Sequence, residues 1–217
     1  MKIYCLGDSL TTGYGVSGSD CWVHRVADKT GFEMINAGLN GDVTLGMAAR
    51  FYRDTESMRP DLMFLLGGGN DILNERTDKN ARKGITAILD AAHQRSIPVM
   101  LGLPFPFVPD MAERLWSPDK DYDLINAIQE GYVRWLQDVA EERGLPSANL
   151  WDVFSAMELS QRRDLSLDGI HLNAEGHRIM ADFITERLNT INDQRRYSWY
   201  RVPSISFQIN PSSLSTI

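Results

Sequence analysis

Short apolar runs alternate along this chain with longer stretches in which apolar positions recur every three or four residues. The short runs Ile3–Leu6, Met34–Ala37, Leu62–Leu66, Val99–Leu103 and Asn149–Val153 predict β-strands. Ala81–Gln94 carries Ile85, Ile88, Leu89 and Ala92 on one helical face. Leu124–Arg143 carries Ile125, Ile128, Tyr132, Trp135, Leu136 and Val139 in the same way. A last helix is expected from about Ala174 to Leu188, with Asn173 as N-cap and Ile179, Met180, Phe183, Ile184 and Leu188 facing inward. Continuous apolar strands separated by helices predict an α/β fold built on a parallel sheet covered on both faces.

Ligands of such sheets bind at the carboxyl ends of the strands. Gly7-Asp8-Ser9 follows the first strand, Gly41-Asp42 the second and Gly68-Gly69-Asn70-Asp71 the third, while Asp168–His171 precedes the last helix. These separated loops are expected on one rim. Pro104–Asp123 leaves the fourth strand with Phe105, Phe107 and Trp116. It reads either as a roof that lines the site with those rings or as a Pro-stiffened connection whose aromatics pack in the core.

Composition narrows the picture. A chain of 217 residues, 43% apolar and 24% charged, is an ordinary globular protein long enough for one sizeable core. A formal charge of -7 leaves no basic footprint for nucleic acid or anionic lipid. No apolar stretch reaches bilayer length, so stable membrane insertion is not expected. Two cysteines, Cys5 and Cys21, make no disulfide framework, and strand-like sequence begins at Lys2, which together predict a cytoplasmic protein. The expected organisation is a catalytic domain over residues 1–190 and a tail over 191–217. From Asp193 the tail turns basic and aromatic, with Tyr197, Trp199 and Tyr200, then serine-rich. It reads as an added strand, a contact compatible with a homodimer, or sequence foreign to the native chain.

Serine is a nucleophile only when a base removes its proton and donors stabilise the resulting oxyanion. Ser9, at a strand-to-helix turn, fits that role or that of a plain helix N-cap. In Asp168-Gly169-Ile170-His171 the glycine lets the chain curl until carboxylate and imidazole meet. Taken alone, a loop histidine such as His171 is more often a plain surface residue. Asn70 offers a side-chain N–H or an Asx turn, and Gly41 a bare N–H or a turn. Of the remaining histidines, His24 and His93 fall in helical stretches, and His177, on the first turn of the last helix, is a candidate for supporting the site from behind but is rather expected to face solvent.

Gly7-Asp8-Ser9-Leu10, the glycine block Asn36-Ala37-Gly38-Leu39-Asn40-Gly41-Asp42, Gly68-Gly69-Asn70-Asp71 and Asp168-Gly169-Ile170-His171 together resemble the motif blocks of the GDSL/SGNH hydrolases. The resemblance covers roughly residues 2–190, in order. Gly13-Tyr14-Gly15 and Trp22 are similar to the small bacterial thioesterase, lysophospholipase and arylesterase type. The resemblance implies a flavodoxin-like three-layer α/β/α fold with five parallel strands. It implies Ser9 as nucleophile, His171 as base and Asp168 as its partner, with Ser9 N–H, Gly41 N–H and the Asn70 side chain as oxyanion hole. Asp8 would hold the turn. Leu172 departs from the pattern, standing where many members carry proline.

The implied activity is hydrolysis of an ester or thioester of a small or lipid-like substrate through an acyl-enzyme, with no cofactor and no metal. Within the family, a carbohydrate O-deacetylase or an acyltransferase is the alternative. A metal phosphoesterase would need more histidines than the four present. A non-catalytic binding protein would have no need to keep all four motif blocks.

Overall fold

The computed structural model describes residues 1–198, apart from the side chains of Ser57 and of residues 194–198. Five strands form one parallel sheet in the order β2-β1-β3-β4-β5: β1 Lys2–Gly7, β2 Glu33–Gly38, β3 Leu62–Leu66, β4 Val99–Leu103 and β5 Ser147–Asn149. The helices are α1 Ser9–Thr12, α2 Trp22–Thr30, α3 Thr44–Ser57, α4 Gly69–Glu75, α5 Lys79–Gln94, α6 Pro109–Leu115, α7 Tyr122–Arg143, α8 Leu150–Ser155, α9 Leu159–Asp164 and α10 Ala174–Ser198. This is the three-layer arrangement of the SGNH hydrolase fold.

Alternation along the strands sorts the core into two layers, because successive side chains leave opposite faces of a sheet. Tyr4, Leu6, Met63, Leu65 and Leu101 face a cluster completed by α3, α5 and α7. Ile3, Cys5, Phe64, Leu66 and Met100 face another, filled by Trp22 and Val26 of α2 and by Met180, Ile184 and Leu188 of α10. Both faces are covered, which is why these strands read as unbroken apolar runs and not as alternation.

Two boundaries differ from expectation. The fifth strand is not Asn149–Val153 but Ser147–Asn149, and α8 starts at Leu150. The Asn149 side chain accepts the Asp152 N–H and caps that helix, while Leu150 and Phe154 bury at helical spacing. A short apolar run suits either state, and the cap decides it here. The last helix passes its expected end at Leu188 because Ile191 continues the buried stripe of Ile184 and Leu188. The boundary placed at residue 190 therefore runs through a helix, and the rest of the tail, residues 199–217, lies outside the described residues. Asn173 caps α10 as expected, accepting the N–H groups of Glu175 and Gly176 at 3.0 Å.

No described helix is long and apolar enough to cross a membrane.

Candidate active site

The first strand ends at Gly7, and Asp8 caps the single turn α1, its carboxylate accepting the Leu10 N–H at 3.0 Å. Burial pushes the Asp8 carboxyl up to about 6, although that N–H and the His171 ring pull it down. Asp8 thus fixes the turn, as expected, and Ser9 sits at its first position. Neighbours hold α1 from two sides. Trp22 Nε1 donates to the Leu10 carbonyl at 3.0 Å, and Asn36 Nδ2 donates to the Thr11 carbonyl at 2.7 Å.

The histidine loop is tied to itself. Asp168 Oδ1 accepts the backbone N–H groups of Ile170 and His171 at 2.9 and 2.8 Å, and Ser166 Oγ donates to the His171 carbonyl. Gly169 adopts φ 91°, and a Cβ there would stand 2.3 Å from the Ala112 backbone nitrogen. Glycine is required because α6 and Val108 just before it press directly on the loop, with the Val108 N–H donating to the Gly169 carbonyl at 2.8 Å. Leu172, in the proline position, buries its side chain in the core and anchors the loop by packing.

These two units meet at the rim. His171 Nε2 lies 3.0 Å from Ser9 Oγ, and His171 Nδ1 lies 2.8 Å from Asp168 Oδ2. Burial would raise the Asp168 carboxyl, but the His171 ring and the two backbone donors outweigh it and hold the group below its ordinary value. Asp168 is therefore an acceptor, which in the neutral imidazole favours the tautomer with its proton on Nδ1 and a lone pair on Nε2 facing the Ser9 hydroxyl. Ser9 and His171 are both buried.

The other two motif blocks follow β2 and β3, the strands on either side of β1. The Asn70 side chain donates one N–H to the Asp42 carbonyl at 3.0 Å. The Ser9 and Gly41 amides find no acceptor among the described residues. Gly68, at φ 106°, admits the Tyr132 ring, since a Cβ would lie 2.5 Å from it. Tyr132 in turn donates to the Gly67 carbonyl at 3.1 Å. Asp71 accepts the Thr44 N–H and hydroxyl, pinning α4 to α3.

The three expected aromatics separate. Phe105 packs on Phe154 with ring centroids 4.8 Å apart, and Phe107 joins the opposite core cluster below Gly69. Both are buried, and Phe105 also lines a small cavity beside Phe154 and Leu172. Trp116 is exposed, with its ring centroid 5.1 Å from that of His171 in an edge-on arrangement. The span 104–123 is thus partly roof and partly core.

Sequence reasoning missed several residues. Arg50 of α3 is nearly buried, donating to the Asp42 carboxylate at 2.7 Å and to the Gly7 carbonyl at 2.8 Å. It bridges the strand end before Ser9 to the loop that carries Gly41, and nothing in the helical pattern marks it. Tyr14 also reaches His171, with centroids 4.4 Å apart. His177, expected in solvent, is buried and its Nδ1 accepts the Trp22 N–H at 3.3 Å. Burial, helped by the Arg25 charge, pushes His177 down to about 4. His24 and His93 are exposed, and His24 pairs with Asp28. Among the described residues, no three His, Cys, Asp or Glu side chains cluster as metal ligands.

Solved structures share this arrangement of strands and helices. A lipolytic protein of the G-D-S-L family from Veillonella parvula superposes with TM-score 0.72 at 24% identity, over 86% of this chain and 97% of its own. An acetyl xylan esterase, AlAXEase, gives 0.68 at 22% identity, over 86% and 98%. The esterase EstA from Pseudoalteromonas sp., in a form inhibited by monoethylphosphonate, gives 0.66 at 20% identity, over 88% and 98%. Comparison with curated proteins returns no match. The sequence profile of the GDSL-like lipase/acylhydrolases matches residues 5–179, a span running from the strand before Ser9 past His171, and the chain belongs to that family.

Proposed function

We propose that this protein is a serine ester hydrolase acting on carboxylic ester or thioester bonds through an acyl-enzyme at Ser9. The observation that carries this reading is the hydrogen-bonded series from Asp168 through both ring nitrogens of His171 to Ser9 Oγ, with contacts of 2.8 and 3.0 Å. Ser9 Oγ attacks the acyl carbon as its proton passes to His171 Nε2, and Asp168 stabilises the imidazolium. The tetrahedral intermediate collapses when Nε2 returns that proton to the leaving oxygen or sulfur. Water, deprotonated by the same nitrogen, then releases the acid and frees Ser9. The unpaired N–H groups of Ser9 and Gly41, with the Asn70 amide, serve as the oxyanion hole.

The buried free thiols Cys5 and Cys21 accord with a reducing, cytoplasmic setting. Trp116, beside His171, contributes to substrate binding. The likeness to a phosphonate-inhibited esterase supports serine chemistry, and the likeness to an acetyl xylan esterase favours sugar-ester deacetylation as the second reading.

The test is hydrolysis of p-nitrophenyl esters from acetate to palmitate by wild type and Ser9→Ala, with fluorophosphonate labelling mapped by peptide mass. Activity that vanishes in Ser9→Ala, with the label on Ser9, is expected. A label elsewhere, or Ser9→Ala retaining turnover, would refute the mechanism. The chain-length optimum sizes the acyl site.

A further inference from the structure

Tyr14 and Trp116 are large aromatic residues left 43% and 44% exposed, and both touch the imidazole of His171. Each is placed by an element that also places a member of the Ser9–His171–Asp168 series. The Tyr14 N–H donates to the Ser9 carbonyl at 3.0 Å at the end of α1. Trp116 caps α6, the helix whose backbone at Ala112 presses on Gly169 of the histidine loop. The turn at Gly15 packs against Leu167, itself 39% exposed, with a Cβ on Gly15 only 2.4 Å from Leu167 Cδ1. The imidazole is therefore bordered by two aromatic rings, both open to solvent, and the turn that carries Tyr14 packs against an exposed leucine.

Their position tells which half of an ester they meet. On the reading of Ser9 and His171 proposed above, Nε2 must hand its proton to the departing atom. The alcohol half therefore leaves across the imidazole, while the carbonyl oxygen turns toward Gly41 and Asn70. Side chains that touch the imidazole border the alcohol, not the acyl chain. Flat apolar surfaces, inclined at 41° and 62° to the imidazole plane, complement a ring with an apolar face better than a flexible chain. We propose that Tyr14 and Trp116 form a leaving-group subsite, and that it takes ring-bearing alcohols, either aryl or pyranosyl. By microscopic reversibility, the same surface receives a ring-bearing alcohol when one replaces water as acyl acceptor.

The test compares kcat/KM for phenyl acetate, an acetylated methyl pyranoside and 2,2,2-trifluoroethyl acetate. The acyl group is constant, so only the alcohol changes. Tyr14→Ala and Trp116→Ala should each lower the ratio of ring-alcohol to trifluoroethyl ester by about five- to tenfold, the range expected for one aromatic contact. Tyr14→Phe and Trp116→Phe should keep the ratio. An effect on the phenyl ester alone assigns an aryl subsite, and an effect on the pyranoside assigns a sugar subsite; either supports the proposal. A ratio within twofold of wild type in either alanine variant overturns the paired subsite, including the case in which every ester slows equally because His171 has lost support. Fluorophosphonate labelling of Ser9 is followed in parallel. Labelled Ser9 with no alcohol preference defeats the subsite alone, whereas unlabelled wild type defeats the serine mechanism beneath it.

Discussion

Replacing Arg50 by methionine should expose how much the loop carrying Gly41 depends on one buried charge. The Arg50 and Asp42 side chains are only 13% and 8% exposed, and they meet at 2.7 Å. At that depth the relevant comparison is the buried pair, for which removing one partner costs about 3–5 kcal/mol because the other charge is left desolvated. The hydrogen bond to the Gly7 carbonyl adds little, since that oxygen also accepts the Leu39 N–H at 3.1 Å. Residual exposure at Arg50 lets water reach the orphaned carboxylate, so a loss near the lower end, about 3 kcal/mol, is expected. In a chain of this length that lowers Tm by roughly 6–12 °C.

The assay is urea unfolding at constant m-value, run on Arg50→Met, Asp42→Asn and the double variant. Asp42→Asn in the Arg50→Met background removes the stranded charge and should recover at least half of the lost stability. Turnover should fall in Arg50→Met by at least about tenfold, because Asp42 also supplies the carbonyl that holds Asn70. A loss below about 1 kcal/mol, the range of an exposed pair, would refute the argument. So would a double variant whose loss equals the two single losses added together.

Asn70→Ala should lower turnover by about 10²–10³ with little change in unfolding midpoint, and retention of half the wild-type rate removes Asn70 from the oxyanion hole. Gly169→Ala should destabilise by about 2–4 kcal/mol, since its φ of 91° is strained for alanine and the obstructing atoms are backbone. Gly131→Ala, on α7 with open space around the site of the new methyl, should instead stabilise slightly; equal effects in chemical denaturation would contradict the packing seen at Gly169. His177, held neutral with a value pushed from 6.5 to about 4, takes up a proton more readily in the unfolded chain. Its contribution is present above pH 6.5 and lost as pH falls toward 4, by roughly 3 kcal/mol in total. Asp8, raised to about 6, binds its proton more readily in the folded state and so acts in the opposite sense between pH 4 and 6. The difference between wild type and His177→Gln stability profiles isolates the histidine, and parallel profiles from pH 4 to 7 would refute its burial as neutral imidazole.

The amino-acid sequence by itself determined the element order, the parallel sheet and the placing of the four motif blocks at strand ends and before the last helix. Those features follow from short-range periodicity, from capping residues such as Asn173 and from the rule that connects strand ends to sites. It also carried the local half of the site: Asp168 and His171 meet through bonds spanning three residues. Tertiary structure alone decided the rest, because burial depends on what arrives from elsewhere in the chain. The contact between His171 and Ser9 spans 162 positions, and His177 is buried only because the start of α2 packs on the last helix. Arg50 reads as an ordinary polar helix position until the fold places Asp42 beside it. Phe105, Phe107 and Trp116 share one segment and one chemistry, yet two fill opposite core layers and one stands at the rim. Aromatic character states that a side chain seeks cover, but only the neighbouring helices and loops determine whether that cover is the core or a bound substrate.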